Sequence, residues 1–342
     1  MATRPAVHSV LIHGKALEAP LLERMERVFS ALRDRGTTMQ LSPAYADLLD
    51  ANGVDRSAFG LRIHEPGTSP DPDMVLSFGG DGTVLETASM PGAAGVPVLG
   101  INTGRLGFLA HVPLEDAEAL LGDILDGNYA VEDRNMLEVE FPGLDLEPGG
   151  LALNEVTVHR RDVASMIRIS VHRDGTFINR YWADGLIVST ATGSTAYSLS
   201  CGGPIVHPAS NAIVLNPIAP HNLNDRPLVI PAEGTLEIQA EGRDDHLMVT
   251  LDTRSHKVAV PARFLVRPAD RPFKLVQLPG GDSSRPSGAN STLDWTAVRV
   301  RPGPAGTKSA PDRVDVPPDG HVLPAALPSP AFPRPVRSPG GP

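Results

Sequence analysis

Over the first 130 residues, apolar strand-like runs alternate with stretches of helical periodicity, and that alternation restricts the segment to a parallel sheet flanked by helices. Residues 10–12 and 74–78 read as buried strands, 21–32 and 45–49 as helix, 81–88 as a helix start, 96–101 as a strand and 113–126 as a helix. From residue 137 the pattern changes. Short strand-like runs at 137–141, 152–159, 166–172, 178–182, 186–189, 236–240, 247–252 and 257–260 are separated by Gly, Pro, Asp or Asn turns. The predicted architecture is therefore an N-terminal α/β domain with a parallel sheet (residues 1–130) and a C-terminal all-β, sandwich-like domain (131–279). A ligand cleft is expected between them.

Composition bounds this picture. The chain has 342 residues, 41% hydrophobic and 20% charged, enough for two cores without staples. From residue 280 onward lie 13 of the 34 prolines and few large apolar residues, so 280–342 is predicted to be a Pro-rich, mostly disordered tail. That tail has seven Lys or Arg against five Asp; with a net charge of −10 for the whole chain, the folded part is near −12. Such an acidic balance argues against broad nucleic-acid binding but leaves room for an anionic nucleotide, which local N–H dipoles and a metal ion can hold. The single cysteine, Cys201, rules out an internal disulfide and reads as a small apolar residue or a reactive thiol. No apolar run suits a signal peptide or a membrane span, so a cytoplasmic protein without membrane partner is expected.

Three segments carry candidate chemistry. Gly79-Gly80-Asp81-Gly82-Thr83 ends an apolar strand. Its glycines clear space and allow backbone angles suited to wrapping phosphate oxygens, while Asp81 can accept a proton from a sugar hydroxyl or meet Mg²⁺. Alternatively, Asp81 caps the following helix. Asn154-Glu155 interrupts an apolar strand; an amide beside a carboxylate suits ribose hydroxyls, but strand alternation lets both meet one ligand only at a strand end or bulge. An edge pair facing solvent is the other reading. Asp184 opens a block with Thr190, Thr192, Ser194, Thr195, Tyr197, Ser198 and Ser200, too many hydroxyls for a helix entry alone. No HExxH, nucleophile-elbow GxSxG, Walker A or GxGxxG sequence occurs, and the histidines form no ligand pattern, so no metal site built from protein side chains is predicted.

Taken in order, FGGDGT at 78–83, NTGRLGFLA at 102–110, LNEVTVHR at 153–160, the block at 184–208 and NPIAPHNLNDRPLVIP at 216–231 resemble the NAD kinase family, across about 60% of the chain. The GGDG turn alone is less specific, since diacylglycerol kinases, sphingosine kinases and phosphofructokinases resemble it there. The resemblance implies transfer of the γ-phosphate of ATP, or polyphosphate, to the 2′-hydroxyl of the adenosine ribose of NAD, giving NADP, with a divalent ion such as Mg²⁺ carried mainly by the phosphates. It implies Asp81 as proton acceptor beside Gly82, and Asn154 and Glu155 holding NAD through its sugar and base. Asp184 would meet the other end of the dinucleotide. Thr195, Ala196, Tyr197, Ser198, Leu199 and Ser200 would line the NAD pocket, and Gly79, Gly80, Gly82 and Thr83 the donor phosphates. A homodimer or homotetramer is also implied.

The chain departs from the family pattern at several points. Ala191 replaces a common proline, and Asp252-Thr253-Arg254 stands where many members have Asp-Gly-Gln, which raises Arg254 as a contact. Ser165 and Trp182 fall where relatives vary, and Leu293-Asp294-Trp295 resembles a terminal segment that returns to the first domain. Two other functions fit parts of the chain: a lipid kinase, which shares GGDGT, and a module that senses NAD without turnover.

Overall fold

A computed structural model describes residues 4–15, 19–90, 93–104, 107–143, 146, 149–161 and 166–278. The expected tail, Ser165 and Leu293-Asp294-Trp295 lie outside the described residues.

The N-terminal half builds in the order β1 (Ser9–Gly14), α1 (Ala19–Asp34), β2 (Thr38–Leu41), α2 (Pro43–Ala51), α3 (Arg56–Phe59), β3 (Arg62–Ile63), β4 (Met74–Gly79), α4 (Asp81–Ala88), β5 (Pro97–Asn102), β6 (Val112–Pro113), α5 (Leu114–Leu125) and β7 (Ala130–Arg134). Its strands pair in parallel in the order β3-β2-β1-β4-β5, so the direction of winding reverses between β1 and β4. In doubly wound sheets, that reversal opens a crevice at the carboxyl ends of the two strands, where ligands bind. Strand alternation divides the side chains between two cores. Val10, Ile12, Leu76, Phe78, Leu99 and Ile101 pack under α1, α2 and α5, whereas Leu11, Val75 and Val98 pack under Val84 and Ala88 of α4.

The second half contributes β8 (Leu137–Glu140), β9 (Leu151–Ala152), β10 (Glu155–Arg160), β11 (Ile167–Arg173), β12 (Thr176–Ala183) and β13 (Gly185–Thr190). A 3₁₀ turn at Thr192–Thr195 leads into the short α6 (Tyr197–Ser200). Then come β14 (Ala212–Ile218), β15 (Leu228–Pro231), β16 (Leu236–Glu241), β17 (His246–Leu251), β18 (Arg254–Ala259), β19 (Ala262–Pro268) and β20 (Phe273–Gln277). Two antiparallel sheets result, ordered β15-β14-β13-β10-β17-β18 and β12-β11-β16-β19-β8-β9. One sheet supplies Val156, Val158, Leu186, Val188 and Val249, the other Ile169, Tyr181, Ile238 and Phe264, to a single shared core. This is a β sandwich, and it leaves the opposite face of β10 free to form a site.

Two segments expected in the β domain instead complete the first sheet. β20 pairs in parallel with β5 and antiparallel with β7, so residues 131–134 and 273–277 belong with the N-terminal strands. The return has a clear driving force. Leu275 and Val276 are both fully buried, on opposite faces, one in each core of the α/β sheet. Among the described residues no helix is long and apolar enough to cross a membrane.

The return strand should be a stability hot spot. Leu275→Ala is expected to cost about 2–5 kcal/mol, the range for a buried large-to-small change, whereas Phe177→Ala, at a side chain 53% exposed, should change stability by no more than about 0.5 kcal/mol. Urea unfolding of the two variants checks this.

Candidate active site

The Gly-Gly-Asp turn lies at the carboxyl end of β4, beside the reversal point of the sheet. Gly80 takes the N-cap of α4 with φ −99° and ψ −169°, an extended conformation open to any residue, and makes no side-chain cap bond. Among the glycines of the turn only Gly79 takes a positive φ (159°), while Gly80 and Gly82 use angles open to other residues. Their value is space: added Cβ atoms at Gly80 or Gly82 would meet nothing, whereas one at Gly79 would overlap Thr83, which is itself buried. Gly80 and Gly82 thus face open room. Thr83 packs beneath the turn.

Asp81 is not a helix cap. Its Oδ1 accepts N–H bonds from Leu109 and Ala110 and its Oδ2 one from Phe108, each 2.9 Å. A side chain at Gly107 would run into this carboxylate. Residues 107–110 are therefore the cradle that fixes Asp81, a function that the NTGRLGFLA block did not disclose as sequence. Across the reversal point, Lys15 at the end of β1 pairs with Glu86 of α4, and His13 lies 3.6 Å from the same carboxylate. Burial, more than any other influence, lowers the His13 pKa, against the opposing pull of Glu86.

The C-terminal contribution comes from a break in a strand. β9 ends at Ala152 and β10 begins at Glu155, so Leu153 and Asn154 lie between them. This is the strand end that would let Asn154 and Glu155 escape strict alternation. On one side the Asp252 carboxylate accepts N–H bonds from Leu153 (2.7 Å), Asn154 (2.8 Å) and Glu155 (3.1 Å). On the other, Thr190 donates its N–H to the Asn154 carbonyl (2.9 Å) and its hydroxyl to the Leu153 carbonyl (2.7 Å). A Cβ at Gly193 would strike the Asn154 carbonyl, which explains a glycine in the middle of the hydroxyl block.

Leu153 also belongs to the apolar cluster containing Val84 of α4 and Leu109 and Ala110 of the Asp81 cradle. The two motifs, far apart in sequence, thus share one seam. On the outer face of the sandwich, Glu155, Thr157 and His159 alternate along β10 and line a cavity of about 520 Å³ with Asp184, Tyr197, Thr250, Arg160 and Arg161. Arg160 donates to the Asp184 carboxylate at 2.7 Å. Of these, Thr157, His159, Arg160, Arg161 and Thr250 were not singled out as site residues from sequence; the period-two pattern running on from Glu155 would have reached Thr157 and His159.

The hydroxyl block divides. Ser194 donates to the Ala191 carbonyl (2.7 Å) and accepts the Val206 N–H (2.9 Å), and Thr195 donates to the Thr192 carbonyl (3.2 Å). Ser198 is fully buried, with its hydroxyl and carbonyl oxygens accepting from Asn216. Much of the Ser/Thr density therefore stitches the 3₁₀ turn and α6. Tyr197 and Leu199 are the exposed members, with Ser200 exposed beside them. Arg254 donates to the carbonyls of Gly149 (2.8 Å) and Leu151. Trp182 is exposed and stacks edge-on with His221, and Cys201 is half-buried next to Tyr197, so it is neither a core residue nor an activated thiol: burial raises its pKa.

Comparison with known proteins gives the class. The ATP-NAD kinase N-terminal domain matches residues 10–129 and the ATP-NAD kinase C-terminal domain residues 153–278. The chain belongs to the NAD kinase family. It is 45% identical to an NAD kinase of Flavobacterium johnsoniae over 278 residues, covering 79% of this chain and 93% of that one. With an NAD kinase of Cytophaga hutchinsonii it shares 36% over 267 residues, covering 78% and 91%. Among solved structures it resembles yeast NADH kinase complexed with NADH (TM-score 0.70, 25% identity, 81% of this chain and 85% of that one). It also resembles an NAD kinase from Archaeoglobus fulgidus in complex with ATP (TM-score 0.60, 27% identity, 78% and 92%).

Glu155 has an electrostatic signature. It is buried, its Oε2 has no hydrogen-bond partner, and burial, reinforced by the nearby Asp252 charge, raises its pKa from 4.5 to about 8. Burial raises the pKa of Asp252 as well. Because the folded state holds the Glu155 proton more tightly than the unfolded chain, its contribution to stability is complete below pH 4.5 and is lost as the pH rises to about 8. Urea unfolding at about pH 5 and pH 8 should show a larger loss of stability for the native protein than for Glu155→Gln; equal losses would mean that Glu155 ionises normally.

Proposed function

We propose that the cleft joining the Asp81 turn to the Asn154-Glu155 break is where this chain phosphorylates NAD, and that the 2′-hydroxyl of the adenosine ribose is the acceptor. The chain is an NAD-phosphorylating enzyme that uses ATP, as its family membership and named relatives indicate. The observation that carries the site reading is the carboxylate of Asp81, held by three N–H groups at the head of α4, beside the reversal point of the sheet and on the same apolar seam as Leu153.

In this reading Asp81 orients the ribose hydroxyl and receives its proton. Its Oδ2 accepts only one N–H bond and retains acceptor capacity for that hydroxyl. Phosphoryl transfer passes through a loose transition state that asks for positioning and charge stabilisation more than base strength, which suits a carboxylate that cannot rotate. Asn154 and Glu155 take the sugar and base of NAD, Asp184 its other end, and Thr195 to Ser200 the pocket wall, chiefly through Tyr197, Leu199 and Ser200. The N–H-rich turn at Gly79, Gly80 and Gly82 takes the donor phosphates, ATP or polyphosphate, over the space that the missing side chains leave. Thr83 supports this turn from below.

A divalent ion fits this scheme as part of the donor. Among the described residues no group of three or more His, Cys, Asp or Glu side chains could hold a metal ion, and Mg²⁺ characteristically binds through phosphates, water and one or two carboxylates. Bound to the phosphates it would offset their charge. Asp81 and Glu86, both on α4, are the carboxylates that would be at hand there. Assembly as a homodimer or homotetramer belongs to the same reading; exposed Phe177 and Trp182 on β12 and Val229 on β15, both sheet edges, support it. The cytoplasm is the expected compartment, in keeping with a chain whose single cysteine can form no internal disulfide.

NADP formation by the purified protein with NAD, Mg²⁺ and either ATP or polyphosphate tests the reading. Asp81→Asn should lower kcat by about 10²-fold or more, because an amide has one acceptor oxygen for three N–H donors and no charge to receive the proton. Similar rates from both proteins would remove Asp81 from the chemistry. NAD binding without product from any donor would favour the sensing module.

A further inference from the structure

We propose that Asp252 is a positioning residue for the acceptor dinucleotide: through its carboxylate it holds the break between β9 and β10 in the one backbone shape that places Asn154 and Glu155 together at the cleft. This rests on the reading that those two residues hold NAD.

The geometry carries the argument. At the break, three consecutive N–H groups leave the ladder, and each needs a partner. Asp252 supplies all three, from a left-handed backbone position (φ 51°) in the turn between β17 and β18. Its own N–H returns to the Glu155 carbonyl at 3.0 Å, which locks the two segments reciprocally. Both carboxyl oxygens serve as acceptors here, whereas an amide would turn its NH₂ toward one of the donors. Thr190 and Gly193 hold the carbonyl side of the same residues. Asp252 also borders the cavity lined by Glu155, Thr157 and Thr250, so this clamp sits at the cavity's edge and not in the sandwich core.

A merely structural aspartate and a positioning one differ in kinetics. In full-length protein, Asp252→Asn should raise the KM for NAD on the order of 10- to 100-fold, the equivalent of one or two hydrogen bonds to a charged group. The KM for ATP should stay within about twofold, because the donor side is held by other elements. Combined with Asn154→Ala, the effects should be less than multiplicative, since both act through the same contact. An unchanged KM for NAD in Asp252→Asn, or fully multiplicative effects, overturns the assignment while leaving the site intact. An unchanged KM for NAD in Asn154→Ala instead overturns the underlying reading, and the assignment with it. If Asp252→Asn does not fold, hydrogen exchange on the native protein decides. The Leu153, Asn154 and Glu155 amides should be protected before NAD is added; protection that arises only with NAD would overturn the proposal.

Discussion

Backbone N–H groups that leave a regular ladder must still be paired, and in this chain two aspartates meet that requirement where the site is built. Asp81 binds the amides of residues 108–110 and Asp252 those of residues 153–155, three apiece. Each converts an irregular segment into a fixed one without making it a strand or helix. The alternative, water on exposed amides, would leave both segments free to move and scatter the groups proposed to meet the dinucleotide. An apolar seam adds what hydrogen bonds cannot. Leu109, Ala110 and Leu153 lie in one cluster with Val84, so the two clasped segments are registered against each other and not merely each within its own domain.

The return of β20 gives that registration its leverage. The chain leaves the α/β sheet after β7, builds the entire sandwich, and re-enters the same sheet between β5 and β7. The sandwich is thereby tied at both of its ends to the sheet that carries Asp81. A domain joined by a single linker would be expected to move relative to its neighbour; two adjacent strands in one sheet remove most of that freedom. The cost falls on folding, because β20 must pair across more than a hundred intervening residues, a long-range contact whose loop-closure entropy must be met first.

The period-two and period-3.6 patterns made most elements legible, including the helix start that became α4, but not the strands β14, β15, β19 and β20. What sequence could not assign was membership. Residues 273–277 read as part of the β domain because they follow its strands, and nothing local in Phe-Lys-Leu-Val-Gln distinguishes a sandwich strand from one buried on both faces of a parallel sheet. The site shows the same division. The residue types at Asp81, Asn154 and Glu155 were readable because an acid or amide in an apolar run is anomalous, and a strand end at Asn154-Glu155 was required by alternation. At Asp252-Thr253-Arg254 the resemblance drew attention to Arg254, while the part played by Asp252 was not legible: an aspartate in a turn is ordinary, and its partners are amides about a hundred residues earlier.

The hydroxyl-rich block shows why density of a residue type is a poor guide to ligand contact. A 3₁₀ turn running into a four-residue helix leaves many unpaired backbone groups in a short space; the Ser194 and Thr195 hydroxyls take up some of them, and Asn216 donates to the Ser198 carbonyl. What emerges toward the cavity is a phenol, Tyr197, next to three acids and two guanidinium groups. That mixture resolves the apparent conflict between a folded part near −12 and an anionic substrate. Asp184 is paired by Arg160, and burial disfavours the charge on Glu155, so the cavity is far less negative than the chain that forms it. Of the acids lining this cavity, one is ion-paired and one has its charge disfavoured by burial, so the cost to an anionic ligand there would be smaller than the overall composition implies.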